Sequence, residues 1–190
     1  MDVSEDHKAV ARHLMTSIGG MPSVQQYWDK AKRSSIDIVS VPDRPQPGLV
    51  THSTLGLFEH SIGLDGGAKP LRAELMLTLR ADDIAAPKIL STCAMDVIND
   101  KIAIRPGSLL VGAVSLYRVG LAMTDILVVS PFIWAIPAIE LSDKTVGWLA
   151  AIPISEAERN YAMEKGGDAL DRVLGEKGAE VFNLERASVL

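Results

Sequence analysis

Thr145-Val146-Gly147-Trp148-Leu149-Ala150-Ala151-Ile152-Pro153-Ile154-Ser155-Glu156-Ala157-Glu158 sets a long uncharged apolar run directly against a polar cap. An apolar run with no charge at either alternating position reads as a strand covered on both faces, here ending at Pro153. The residues that follow form a capping box. The Ser155 hydroxyl can accept from the Glu158 amide while the Glu158 carboxylate reaches back to the Ser155 amide, so a helix begins there. Gly166 and Gly167 interrupt that helix, and Asp168 is expected to cap a second one through Leu174, with Leu170, Val173 and Leu174 turned inward. This one stretch already requires a buried sheet with helices beside it.

Working outward, Asp125 to Val129 is another compact β-branched run, ending at Pro131, and should also be a central strand. Leu71 to Leu79 alternates Leu71, Ala73, Leu75, Leu77 and Leu79 against Arg72, Glu74, Met76 and Thr78. That period of two predicts one buried and one wet face. Ser35 to Val41 is read as the first strand and Leu49 to Phe58 as the second, separated by a loop at Pro42, Pro45 and Pro47. Gly63 to Lys69 is a further loop. Residues 4–18 form an amphipathic helix with Ser4 as cap, Val10, Leu14 and Ile18 four apart, and Gly19 and Gly20 at its end. Asp82 or Asp83 is expected to cap a helix running to Ile98, with Ile89, Cys93 and Val97 on its apolar line and Asn99 and Asp100 stopping it. Ile102 to Arg105 reads as a short strand before a Pro106-Gly107 turn, and Leu109 to Val114 as strand-like. The tail from Val181 to Leu190 is a closing strand or a docked extension. Strands and helices follow one another irregularly and without repeats, which predicts a single α+β domain over residues 1–190, its mixed sheet flanked by helices.

The 190-residue chain is 47% hydrophobic and 23% charged, a globular composition. A net charge of −5 and an aromatic content of 5% argue against nucleic acid, which needs clustered cations and stacking rings. The acidic balance suits a basic protein partner, although it is also ordinary for solubility. Cys93 is the only cysteine, so no internal disulfide or Cys-rich zinc site can form, as in a reducing cytoplasm. Asp2, Glu5 and Asp6 stand where an export signal would need a basic start. The longest uncharged run, Ile126 to Ile139, is too short for a membrane span and contains Pro131 and Pro137. The expected location is cytoplasmic.

Nucleotide-binding glycine motifs, the hydrolase nucleophile elbow and the His-Glu-x-x-His metal motif are all absent from the sequence. His52 and His60 with Cys93 could in principle hold a metal, but their spacing is uninformative, and Cys93 lies on the apolar line of its helix. Ser53 and Thr54 beside His52 and His60 suggest a hydrolase, yet strand alternation points His52 and Ser53 to opposite faces. Glu156, Glu158 and Glu164 form an acidic group, of which Glu158 is explained by capping and Glu156 by the helix dipole. No catalytic, cofactor-binding or metal-binding residue is assigned.

Ser130-Pro131-Phe132-Ile133-Trp134, the quoted run from Val146 to Glu158, Glu164-Lys165-Gly166-Gly167-Asp168-Ala169-Leu170 and Arg186-Ala187-Ser188-Val189 together resemble the suppressor-of-fused family. Upstream, Thr54-Leu55-Gly56-Leu57 is similar to its Thr-x-Gly strand, Arg72-Ala73-Glu74-Leu75 to its next strand, and Pro106-Gly107 falls at a family turn. The resemblance covers residues 36–190. It implies a non-enzymatic scaffold in which Thr54, Gly56, Pro131, Trp134, Trp148, Pro153, Ser155, Glu158, Gly166 and Arg186 have structural roles. Bacterial members of this kind look like immunity proteins or antitoxins that bind a cognate toxin, so a protein partner is expected, with no nucleic acid, membrane or cofactor. Glu156, Glu164, Asp168 and Asp171 are the candidate contacts. A scaffold or regulator of an endogenous protein is the alternative, and a small hydrolase or metal enzyme the third. Oligomeric state is not legible from the sequence.

Overall fold

A computed structural model describes residues 4–190. Met1, Asp2 and Val3, part of the stretch read for an export signal, lie outside the described residues. Helix α1, Glu5–Ile18, begins where the Ser4 hydroxyl accepts from the His7 amide, and ends at Gly19 with a φ of 68°. Strands β1 (Ser23–Trp28), β2 (Ser35–Pro42), β3 (Leu49–Leu55) and β4 (Leu71–Arg80) follow. Then come helix α2 (Ala86–Ile98) and strands β5 (Leu109–Leu110), β6 (Met123–Val129), β7 (Ile139–Glu140) and β8 (Thr145–Ser155). Helices α3 (Glu156–Lys165) and α4 (Gly167–Glu176) complete the described elements.

All eight strands form one mixed sheet in the order β1-β2-β3-β4-β8-β6-β5, with β7 pairing β8 beside this path. The β4–β8 pair is parallel, from Leu71↔Thr145 to Met76↔Ala150, and the other pairs are antiparallel. One face carries α2, whose Ile89, Leu90, Cys93 and Val97 pack with Ile36, Ile38, Leu75, Leu77, Ile126 and Val128. The other face is shared. At one end Val10, Leu14 and Ile18 of α1 cover Val39, Val41, Met76, Val146 and Trp148. At the other, Ala162 of α3 and Leu170 and Leu174 of α4 cover Leu127, Val129, Ala150, Ile152 and Ile154. Among the described residues no helix is long and apolar enough to cross a membrane.

Several expectations require correction. The first strand is Ser23–Trp28, not Ser35–Val41; its residues are mostly exposed, because it is the outermost strand and buries little. Strand β4 has no wet face from Ala73 to Leu79: Glu74, Met76 and Thr78 are buried like Leu75, Leu77 and Leu79, since α2 covers one side of the sheet there and α1, the 56–58 segment, the loop after β6 and the tail cover the other. The strand expected over Leu49 to Phe58 is the third in chain order, not the second, and it stops at Leu55, before a helical turn over Leu57–Glu59. Helix α2 starts at Ala86 with Pro87 in its first turn and no side-chain cap; Asp83 accepts instead from the Ala85 amide at 3.3 Å. Ile102 to Arg105 is irregular, and of Leu109 to Val114 only Leu109 and Leu110 pair in the sheet. Strand β8 runs through Pro153 to Ser155, with Pro153 opposite Ile126. Asp168 is not a cap, because α4 begins one residue earlier, at Gly167. The tail from Val181 is a docked extension without strand pairing.

Proline is tolerated inside β8 because the β4–β8 ladder ends at Ala150, leaving that edge of the strand open beyond it. The Pro153 carbonyl accepts from Arg186 of the tail at 3.0 Å. An extended residue presents its N–H and C=O to the same edge, so the missing donor falls where no strand needs it.

Candidate protein-binding surface

The junction of β8, α3 and the C-terminal tail is held by a buried polar lock. The Ser155 hydroxyl accepts from the Glu158 amide at 3.1 Å, and the Glu158 carboxylate accepts from the Ser155 amide at 2.9 Å, completing the expected capping box. Arg186 then grips both Glu158 oxygens at 2.7 Å, and the Val189 amide adds a bond of 3.0 Å. Burial alone would raise the Glu158 pKa, but the Arg186 guanidinium and these amides outweigh it and hold the carboxyl below its usual range. The same tail residues shelter the Pro153 carbonyl and bring Ser188 within 2.8 Å of Ser155.

A second lock explains the Thr-x-Gly pattern. Glu74, fully buried on β4, accepts from the Thr54 hydroxyl, the Gly56 amide at 2.8 Å and the Phe58 amide at 3.3 Å. Gly56 has a φ of 111°, a backbone conformation a side chain would strain. Burial raises the Glu74 pKa to about 7 despite these donors. Beside α3, Asp125 accepts from the Gly112 amide at 2.6 Å, the Thr124 hydroxyl at 2.9 Å and Arg159 at 3.1 Å. Glu74, Asp125 and Arg159 are not marked as site residues by the sequence; the available signal at Glu74 is a carboxylate followed by five uncharged residues in its strand.

The remaining motif residues sit around these locks. Trp148 is buried and stacks on His13 of α1 with ring centroids 5.3 Å apart. Gly166, with φ 94°, joins α3 to α4, and Gly167 lies so close to the 106–107 turn that a Cβ there would come within 2.3 Å of the Gly107 Cα. Pro131 and Trp134 lie in the loop after β6, lining an apolar groove with Met76, Ala150, Ile152 and Phe182. Its walls belong to both the α1 and the α3–α4 clusters, so the groove runs between them. Exposed Phe132 stacks on Phe182 at 6.3 Å over its rim. The groove continues into a cavity of about 330 Å3 alongside α4.

The four candidate contact carboxylates are all exposed but are not gathered at one point. Glu156 lies in the first turn of α3 and pairs with Arg159 at 3.2 Å, while Glu164 lies in its last turn beside Lys165 at 2.8 Å. Asp168 and Asp171 stand one turn apart on α4.

The residues weighed for chemistry are engaged elsewhere. His52 Nδ1 is 2.8 Å from the Ser40 hydroxyl, and burial lowers its pKa to about 4, so the ring is neutral at pH 7. The Ser53 hydroxyl donates to the Thr54 carbonyl at 2.9 Å. Cys93 is buried beneath the sheet, which pushes its thiol pKa upward and disfavours the thiolate. Burial and Lys101 lower the His60 pKa. Among the described residues no three His, Cys, Asp or Glu side chains are grouped to hold a metal. What the arrangement offers is an apolar groove between α1 and the α3–α4 pair, with Asp171 in the cavity beside α4 and the other candidate carboxylates exposed elsewhere along α3 and α4.

Known proteins share both the sequence and the shape. The chain is 41% identical over 193 residues to Immunity protein YqcF of Bacillus subtilis (strain 168), covering all of both chains. A solved SUFU homolog from Neisseria gonorrhoeae FA 1090 superposes with a TM-score of 0.74 at 13% identity, covering 98% of each chain. Drosophila Suppressor of Fused gives a TM-score of 0.67 at 14% identity; there the match takes in 96% of this chain but 50% of the larger one. The model of the suppressor of fused protein family matches residues 32–187, a span that holds the groove, the Glu74 lock and the Ser155–Glu158–Arg186 core of the other, and the chain belongs to that family.

Proposed function

We propose that this protein is an immunity protein, which binds a cognate toxin and blocks the toxin's active site or substrate channel. The observation that carries this reading is the full-length likeness to a protein named for immunity. The geometry is consistent with it: the motif residues Thr54, Gly56, Trp148, Pro153, Ser155, Glu158, Gly166 and Arg186 build a scaffold, while Glu156, Glu164, Asp168 and Asp171 stay exposed on α3 and α4. On this reading scaffold and recognition are separate, so that one fold can serve different targets. Exposed carboxylates suit a basic target, and against a nuclease they would stand where nucleic-acid phosphates bind. A single buried cysteine fits work in a reducing cytoplasm.

Co-expression tests this directly. A toxin encoded beside the gene should arrest growth alone, and this chain should restore growth and copurify with it. Continued arrest with every neighbouring toxin would overturn the reading. A second reading, regulation of an endogenous protein by strand addition, is favoured by the outermost strand β1, whose six residues are uncharged and pair regularly with β2. Capture of a stoichiometric partner in cells without any toxin gene would favour it instead.

A further inference from the structure

The cavity along α4 combines apolar walls with a single charged residue. Phe132, Ile152, Leu174 and Val181 supply the walls, and Asp171 is the one charged side chain in the lining among the described residues. Asp171, Leu174 and Gly175 are three and four residues apart, so they share the face of α4 turned toward the cavity. Gly175 leaves it open: a Cβ built there meets no atom within 4 Å.

The carboxylates here lack the partners found on α3. Glu156 and Glu164 are paired with Arg159 and Lys165, whereas Asp168 and Asp171 have no ion pair among the described residues. Desolvation at the cavity wall and the neighbouring Asp168 charge both push the Asp171 pKa upward, and a cation placed beside it would favour its charged form.

A ligand that satisfies both features has an aliphatic chain for the walls and a cation at its end. Lysine and arginine side chains have this form, burying their methylene stems while the head keeps polar company. An acidic head would meet the like charge of Asp171. A purely apolar group would desolvate Asp171 without pairing it. We propose that this cavity receives a lysine or arginine side chain of the protein partner; this rests on the partner-binding reading above and names the chemistry of one contact.

The probe is the side chain alone. Amide NMR spectra of the whole protein are recorded during titration with n-butylammonium and n-butylguanidinium, with n-butanol and butyrate as controls. Both cations should shift the amides of Phe132, Asp171, Leu174, Gly175 and Val181 saturably, binding at least about fivefold tighter than n-butanol, with butyrate inert. Asp171→Asn should remove that preference. Gly175→Leu should abolish binding by filling the cavity, and replacing a helical glycine keeps the helix secure. Equal response to cation and alcohol, shifts confined to other regions, or unchanged binding by Gly175→Leu would overturn the proposal. Cation binding that fails while growth rescue succeeds removes this contact and leaves the immunity reading standing; the reverse pair of results keeps the contact and removes the immunity reading.

Discussion

Glu74 couples the Thr54–Gly56 segment to the protonation of one buried carboxyl. Its pKa rises to about 7 in the fold, against 4.5 for an ordinary glutamate, so the folded chain holds a proton that the unfolded chain has released. The stability from this difference is therefore fully present below about pH 4.5 and is lost as the pH rises toward 7, since stability falls wherever the native state binds more protons. Glu74→Gln should flatten that part of the curve, seen as a urea midpoint that no longer declines across this window relative to the parent. An unchanged slope would show that Glu74 is ionised in the fold throughout. His52 acts in the opposite sense: burial lowers its pKa to about 4, so its contribution is present above about pH 6.5 and is lost as the pH falls toward 4. At this scale the sequence is legible only where partners are close along the chain. Ser155 and Glu158 are three apart and could be paired on sight, whereas Arg186 lies 28 residues beyond Glu158 and only the fold brings it there. Glu74 was misplaced because alternation records which side chains face together, not whether a helix covers each face.

The C-terminal tail is an element without strand or helix, fixed by polar contacts. Arg186→Met would leave the Glu158 carboxylate buried without its cation, which typically costs about 3–5 kcal/mol. The expected result is a matching loss in urea-unfolding free energy, partly recovered in the double variant with Glu158→Gln, where no buried charge is left unpaired. A loss below about 1 kcal/mol would mean that the tail is held by its apolar contacts instead. The helices of this fold were legible where an apolar line meets a cap, as at Ser4, or where a capping box stands alone, as at Ser155. At α4 the position of the 166–167 pair was legible, but not the start of the helix, because close packing of Gly167 on Gly107 sets it. Strand β1 escaped notice because Ser23-Val24-Gln25-Gln26-Tyr27-Trp28 has neither alternation nor burial to mark it. Pro153 misled for the complementary reason: a proline normally ends pairing, and nothing local reveals that one edge of β8 is open to the tail.

For the whole molecule, the strong apolar runs and the family pattern made the mixed sheet, the single domain and the flanking helices legible. The groove between α1 and the α3–α4 pair was not, because it is formed by residues from β4, β8, the loop after β6 and the tail. Its candidate carboxylates could be identified as acidic but not sorted into paired and unpaired. The central claim is that the protein acts by occupying its target and not by transforming it, and a titration of toxin activity tests this most directly. With the purified toxin held well above the dissociation constant, residual activity should fall in a straight line and reach zero near one equivalent of this protein. Complete inactivation by a small fraction of an equivalent, deepening with time, would be turnover and would contradict the account.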